Sequence, residues 1–215
     1  MQLSPVEVRI LGALIEKEST TPDNYPLSLN ALTNACNQTS NRDPVMALEE
    51  DAVRWAVNNL RQQSLVRAVQ HSGSRVMKYQ HLVAERLSLD ATSLGVLCVL
   101  MLRGPQTAGE IRARTSRLAE IATVSDVVAT LDRLKGNALV TELARRPGQK
   151  EERYAHLLSG PVANEVPEDV APIGSPTPGS RGQDRIEALE TTVAELRAEL
   201  TDLRAEFEAL RRQFE

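Results

Sequence analysis

The side chains best suited to catalysis or metal binding are few and scattered in this sequence. Three histidines, His71, His81 and His156, have no cysteine, histidine or carboxylate partner at the spacing of a metal site. The sequence also lacks a C-x-x-C, H-E-x-x-H, phosphate-loop or G-x-G-x-x-G motif. We therefore expect neither enzyme activity nor a metal or cofactor.

The basic side chains are more informative, because a guanidinium or ammonium group can bind the phosphates of nucleic acid. The candidates for contacts with double-stranded DNA are Arg112, Arg114, Arg117, Arg133, Arg145, Arg146 and Lys150. The alternative is that these side chains form an ordinary solvated surface. The residue types alone leave both interpretations open.

The composition of the chain permits DNA binding but does not demand it. The net charge is −4 over 215 residues, yet residues 1–86 carry a net charge of 0 and residues 87–160 one of +2. Aromatic residues make up only 3% of the chain, which argues against proteins that stack bases on aromatic side chains. Two cysteines, no long apolar stretch and no signal peptide favour a cytoplasmic protein without a membrane segment.

The elements that must position these side chains occur twice. Each copy has the pattern of three helices followed by a two-stranded hairpin, which is typical of a winged helix-turn-helix domain. Ser4 and Asp90 are predicted to cap the first helix of each copy. The predicted fold is mainly α with small β-hairpins (α+β), with winged-helix domains at residues 1–86 (the first copy) and 87–160 (the second copy).

The remainder of the chain has two different patterns. Residues 161–183 are rich in proline and glycine and are predicted to be a disordered linker. Residues 184–215 carry apolar residues at alternating spacings of three and four, which predicts a coiled-coil helix. Leucine occupies every d position: Leu189, Leu196, Leu203 and Leu210. This pattern favours a parallel homodimer, and the alternative is one amphipathic helix that docks on its own chain.

The third helices of the two copies differ. In the first copy this helix begins with three acidic residues, 49–51, which would repel phosphates. Trp55 is expected on the face opposite the apolar stripe, where a tryptophan is typical of a protein interface. Its alternative role is packing on its own hairpin or on the second copy. We therefore predict protein contacts for the first copy and DNA contacts for the second.

Long loops distinguish the first copy from the second. They read TTPDNYPLS (residues 20–28) and ACNQTSNRDPVM (residues 35–46), and these strings closely resemble the YceH-like family, bacterial proteins of unknown function. Residues 102–114 and 153–157 fit the same family, so the resemblance covers essentially the whole chain. It implies tandem winged helices and a C-terminal coil, and it implies no activity.

The NRDP segment of the second loop can also be interpreted physically. Asn41 and Asp43 favour a turn, Pro44 keeps Asp43 out of a helix, and Arg42 can pair with a carboxylate. One interpretation is a structural brace between the second and third helices. The other is a ligand or partner site built on Asn41 and Arg42.

These observations lead to two hypotheses about function. The first is a cytoplasmic, dimeric DNA-binding or transcription-regulatory protein. The second is a non-enzymatic scaffold whose winged helices bind a protein partner. Binding to duplex DNA across a salt series would discriminate between them.

Overall fold

The computed structural model describes residues 2–70, 76–145 and 151–162, all within one compact unit, Met1–Val166. These residues form seven α-helices, one short 3-10 helix and two small antiparallel sheets. This confirms the prediction of a helical chain with small β-hairpins. Residues 163–215 lie outside the described residues, so the linker and the coiled coil stay predictions.

The first copy begins with a long helix and ends with a hairpin and a short helix. Its elements are α1 (Pro5–Thr20), the 3-10 helix (Pro22–Asn24), β1 (Leu27–Ser28), α2 (Leu29–Cys36), α3 (Glu50–Gln62), β2 (Val66–Val69), β3 (Lys78–His81) and α4 (Val83–Leu87). Strands β2 and β3 form the predicted antiparallel hairpin, and β1 pairs with the other edge of β3. The sheet order is therefore β1-β3-β2.

The second copy repeats this order. Its elements are α5 (Ala91–Arg103), β4 (Gln106–Thr107), α6 (Ala108–Thr115), α7 (Val124–Gly136), β5 (Val140–Leu143) and β6 (Arg153–His156). The sheet order β4-β6-β5 matches that of the first copy strand for strand. The helices and strands thus follow one another in the same order in both copies, as the internal repeat predicts.

The helix starts follow from local side-chain chemistry. The Ser4 hydroxyl accepts a hydrogen bond from the Glu7 N–H, and the Glu7 carboxylate accepts one from the Ser4 N–H. Thr107 and Glu110 form the same reciprocal pair at α6, and the Asp90 carboxylate caps α5. These caps satisfy backbone donors that have no partner inside a helix, which is why these three helices begin where they do.

The first helices of the two copies pack against each other. Gly12 of α1 lies so close to α5 that a Cβ atom there would be 2.8 Å from Leu102 Cδ2. The Cys98 thiol donates a hydrogen bond to the Gly12 carbonyl oxygen over 3.3 Å. Buried residues of both copies consequently belong to one continuous hydrophobic core. None of the helices in the described ranges combines the length and apolar character needed to cross a membrane.

Candidate functional site

The loop between α2 and α3, residues 37–48, is ordered by its own side chains and is called the connecting loop below. The Asn37 amide nitrogen donates to the Leu48 carbonyl, and the Asn37 amide oxygen accepts from the Leu48 N–H, both over 2.8 Å. Arg9 of α1 is buried and donates to the Pro44 carbonyl oxygen over 2.5 Å. These contacts close the two ends of the loop and fix its centre.

Arg42 fastens the connecting loop to the helices. Its guanidinium is fully buried and donates to the Glu16 carboxylate over 2.6 Å and to the Ala35 carbonyl over 2.9 Å. It also donates to the Gln38 side-chain oxygen over 3.2 Å. A buried ion pair with satisfied hydrogen bonds is a structural arrangement. Arg42 therefore connects the loop to α1 and α2, and none of these contacts reaches α3.

The opposite side of the connecting loop contacts the second copy. Asn41 adopts the left-handed backbone conformation (φ 59°), which asparagine tolerates better than most residues, and its side-chain oxygen accepts a hydrogen bond from Arg103. The Asp43 N–H donates to the Leu102 carbonyl over 2.9 Å. The loop that distinguishes the first copy thus also joins it to the end of α5.

A cavity of about 290 Å³ lies where the connecting loop meets the second copy. Its lining residues are Glu16, Asn41, Val99, Leu102, Arg103, Ala113, Arg114, Arg117 and Leu118. We call it the arginine cavity, because three guanidinium groups line it. Two of them, Arg114 and Arg117, are among the predicted DNA-binding residues, and the structure brings them together with Arg103.

Two of these three arginines have neutral hydrogen-bond partners. Arg103 donates to the Asn41 amide oxygen, and Arg114 donates to the Gln106 amide oxygen. Gln106 is itself buried and anchored to backbone carbonyl oxygens. An amide oxygen accepts a hydrogen bond from a guanidinium, but it is neutral and does not compensate the positive charge.

Carboxylates near the arginine cavity compensate part of this charge. One oxygen of the Glu110 carboxylate forms an ion pair with Arg114 over 3.6 Å, and its other oxygen accepts a hydrogen bond in the α6 cap. Arg117 makes no hydrogen bond or ion pair within the described part of the chain. Burial lowers the pKa of Arg103, and the positive charges of Arg114 and Arg117 lower it further. The cavity is therefore electropositive.

The other predicted DNA-binding residues lie apart from the arginine cavity. Arg112 is exposed and donates to the Ala122 carbonyl over 3.0 Å. Arg133 pairs with Asp90 over 2.7 Å, and Arg145 pairs with Glu152 over 2.5 Å. Arg146 and Lys150 lie outside the described residues. The predicted set is thus divided between the cavity and the exposed surface of the second copy.

The third helices present different surfaces to solvent. Trp55 on α3 is 66% exposed, so packing within the chain covers only a minor part of its surface. Beside it, Arg54 pairs with Glu50 over 2.8 Å and with Asp51 over 3.4 Å. The four interface leucines predicted in the coil, Leu189, Leu196, Leu203 and Leu210, lie outside the described residues.

The surface of α7 borders a groove of about 930 Å³. Arg133, Ala129 and Asp126 contribute to its lining, together with Ala122, the residue whose carbonyl accepts from Arg112. Hydrogen bonds from Thr123 lower the pKa of the Asp126 carboxyl, which is part of the α7 cap. Arg133 therefore lines the groove together with the acidic Asp126 of the first turn of α7, whereas Arg112 reaches the groove only through its hydrogen bond to Ala122.

The histidines have structural surroundings. His81 is buried, its Nε2 is 2.8 Å from the Glu18 carboxylate, and its Nδ1 accepts from the Val83 N–H over 3.3 Å. Burial lowers the pKa of His156 to about 4. His71 lies outside the described residues. Within the described ranges, no three histidine, cysteine or carboxylate side chains are grouped as metal ligands would be.

Comparison with known proteins identifies the family of the chain. Residues 3–149 match the model of a protein of unknown function, DUF480. The chain belongs to this family. A UPF0502 protein of Pelobacter propionicus is 49% identical over 203 residues, which are 93% of this chain and 92% of that protein. UPF0502 proteins of Solibacter usitatus (47% over 196 residues; 91% and 93%) and Aeromonas hydrophila (46% over 203 residues; 92% and 93%) are also similar.

The YceH-like resemblance is thereby confirmed, because YceH-like, DUF480 and UPF0502 denote the same family. The part of the chain matched by the DUF480 model includes the first copy from residue 3, the second copy up to residue 149, the connecting loop and every residue that lines the arginine cavity. The family description states no activity. A function for this member must therefore be argued from its surfaces.

Proposed function

We propose that this member of the DUF480 family is a DNA-binding regulatory protein built from two tandem winged helices, and that its second copy contacts the DNA. One observation carries the proposal. Exposed guanidinium groups occur on each of the three elements that flank DNA in a winged helix: Arg112 on the second helix, Arg133 on the third and Arg145 at the hairpin.

The present partners of these arginines do not prevent phosphate binding. Arg133 and Arg145 pair with carboxylates at exposed positions, and exposed ion pairs contribute only about 0–1 kcal/mol to stability. A DNA phosphate can therefore replace either carboxylate at little cost. The exposed face of α7 also carries the small side chains of Ser125 and Ala129, which allow close approach to a groove.

A second candidate function rests on the first copy. Trp55 is 66% exposed on the helix that would enter the DNA groove, and acidic residues at the start of α3 accompany it. An exposed tryptophan among charged side chains fits a protein interface better than a phosphate backbone. We propose that the first copy binds a protein partner, so that the scaffold hypothesis applies to this half of the molecule.

The proposal includes a cytoplasmic homodimer. Cys36 and Cys98 are both free and buried, which suits a reducing compartment. Dimerisation rests on the leucine d positions of the predicted coil. Light scattering on the full-length protein checks it: the double variant Leu196→Asp/Leu203→Asp should halve the mass, and an unchanged mass would remove the dimer from the proposal.

The test of DNA binding is fluorescence anisotropy of a labelled random-sequence duplex from 50 to 200 mM salt. Three phosphate contacts per chain predict that log K falls with log salt with a slope of about −2.7 per chain. Acrylamide quenching of Trp55, the single tryptophan, should be the same with and without saturating duplex. No binding at 50 mM salt would overturn the DNA proposal, and protection of Trp55 by DNA would overturn the division between the copies.

A further inference from the structure

We propose that the arginine cavity is a binding site for a small phosphate-bearing anion. The site is separate from the DNA-contacting surface described above, and the inference does not depend on DNA binding. Its walls come from α1, the connecting loop, α5, α6 and the turn after α6. A ligand there would therefore touch both copies of the repeat.

The first argument is the charge that the fold gathers around the cavity. One cavity of about 290 Å³ is lined by Arg103 at the end of α5, Arg114 on α6 and Arg117 in the turn after α6. Like charges this close raise the free energy of the folded chain unless counter-charges are near. The hydrogen bonds of Arg103 and Arg114 to side-chain amides supply geometry without counter-charge.

The second argument is that the acidic residue in the lining is already neutralised. Glu16 accepts a hydrogen bond from the fully buried Arg42 over 2.6 Å, and Lys17 is 3.9 Å from the same carboxylate. The positive charges of Arg42 and Lys17 thus compensate the negative charge of Glu16. Arg114 pairs with Glu110 outside the lining, so the lining keeps two arginines, Arg103 and Arg117, that have no carboxylate partner within the described part of the chain.

The third argument concerns the chemical class of the ligand. A guanidinium presents two parallel N–H donors that match the oxygens of a phosphate or carboxylate, and several such groups favour a multiply charged oxyanion. The volume is at the lower end of the range of ligand pockets, which suits a small ligand. Arg117 has all its donors available within the described part of the chain, so it is the residue expected to bind the anion most directly.

The place of the site also suggests what binding does. Asn41 and Arg103 form a hydrogen bond across the junction of the two copies, and both line the cavity. An anion that recruits Arg103 competes with Asn41 for the same guanidinium. Occupancy of the cavity would therefore change the contact between the connecting loop and α5.

The test is isothermal titration of sodium pyrophosphate into the full-length protein at constant ionic strength. We expect one site per chain, and Arg117→Ala should weaken binding by about tenfold or more, because it removes charge-assisted hydrogen bonds. Arg103→Gln should weaken it by a similar factor. Arg67→Ala, which removes an exposed arginine of β2 far from the lining, is the matched control and should bind as the wild type does.

Several outcomes would overturn the inference. They are a wild-type dissociation constant above 10 mM, or a loss in Arg67→Ala as large as that in Arg117→Ala. Titration with inorganic phosphate and with citrate separates the ligand classes, and tighter binding of citrate than of pyrophosphate would contradict the assignment to phosphate. Arg117 has no partner to lose, so its substitution leaves the fold intact, and circular dichroism verifies this.

Discussion

The two copies of the repeat differ in that only the first has arginines that are buried in the described part of the chain. In the first copy Arg9 and Arg42 are buried and hold the connecting loop through carbonyl oxygens and one carboxylate. In the second copy Arg112, Arg133 and Arg145 are exposed, and their partners are carbonyl or carboxylate oxygens at the surface. The difference shows that the same order of elements can hold arginines inside the fold in one half while the arginines of the other half remain accessible, as the proposed DNA contacts require.

The third helices extend the same contrast. Both helices carry exposed acidic and basic residues, but α3 also exposes Trp55, whereas α7 exposes the small side chains of Ser125 and Ala129. This difference is the basis on which we propose a protein partner for the first copy and DNA for the second. Each prediction below would break or sharpen this division between the copies.

The largest effect is expected from loss of the buried arginine of the first copy. Arg42→Ala leaves Glu16 buried without its partner, and removal of one member of a buried ion pair costs about 3–5 kcal/mol in the free energy of unfolding. Urea denaturation measures this loss. Arg54→Ala, which breaks exposed pairs on α3, is the control and should cost no more than about 1 kcal/mol. An equal loss of unfolding free energy in the two variants would mean that the contacts of Arg42 do not stabilise the fold.

The next effect concerns the packing of α1 against α5, which joins the two copies. Gly12→Leu places a side chain where a Cβ would already be 2.8 Å from Leu102, so it should lower the free energy of unfolding by about 2–3 kcal/mol. Gly136→Leu is the matched control, since nothing lies within 4 Å of a Cβ there. If Gly12→Leu were tolerated as well as the control, the shared core between α1 and α5 would be refuted.

A pH-dependent effect of similar size distinguishes the two hairpins. The pKa of His156 is about 4 in the folded chain, below its ordinary value, so the unfolded chain binds the proton more readily. Stability from neutral His156 is fully present above about pH 6.5 and is lost as the pH falls towards 4, by about 3 kcal/mol. Burial also lowers the pKa of His81, but Glu18 opposes this shift.

The corresponding experiment is thermal denaturation between pH 4 and pH 7. His156→Gln should flatten the pH dependence of Tm more than His81→Gln does, because no carboxylate offsets the burial of His156. A variant of His156 that keeps the full acid sensitivity of the wild type would contradict the account. His81 and His156 end equivalent strands of the two hairpins, so the two variants change the same backbone position in each copy.

The smallest effect on stability is expected at the proposed protein interface. Trp55→Ala should change the free energy of unfolding by less than about 0.5 kcal/mol, because the indole is 66% exposed. Leu60→Ala, on the buried face of the same helix, should cost about 2–5 kcal/mol. A large loss in Trp55→Ala would mean that the tryptophan serves the fold and not a partner.

Local signals made most of the elements predictable from the sequence. Ser4, Asp90 and Thr107 are caps whose hydrogen bonds involve residues three positions away, so their chemistry is visible in a short window. The apolar stripe of α3 and the alternation in the hairpins are equally local. Strands β1 and β4 escaped prediction, because two residues carry no periodicity and pair only through distant partners.

The arginine cavity could not be predicted, because it is made by contacts across the repeat. Arg103 at the end of α5 has the ordinary signature of a basic residue near a helix C-terminus. Its partner Asn41 is 62 positions away, and no spacing in the sequence connects them. The role of Arg42 was open because its carboxylate partner Glu16 is 26 positions away on α1, although both residues belong to the first copy.

The central claim, that the second copy and not the first contacts DNA, is tested most directly by salt-dependent duplex binding of two double variants. Arg112→Ala/Arg133→Ala should reduce the magnitude of the slope of log K against log salt by about 1.8, or about 0.9 for each phosphate contact. Arg54→Ala/Arg61→Ala, which removes two exposed arginines from α3, should leave the slope unchanged. A slope that falls only with the α3 pair would contradict the account.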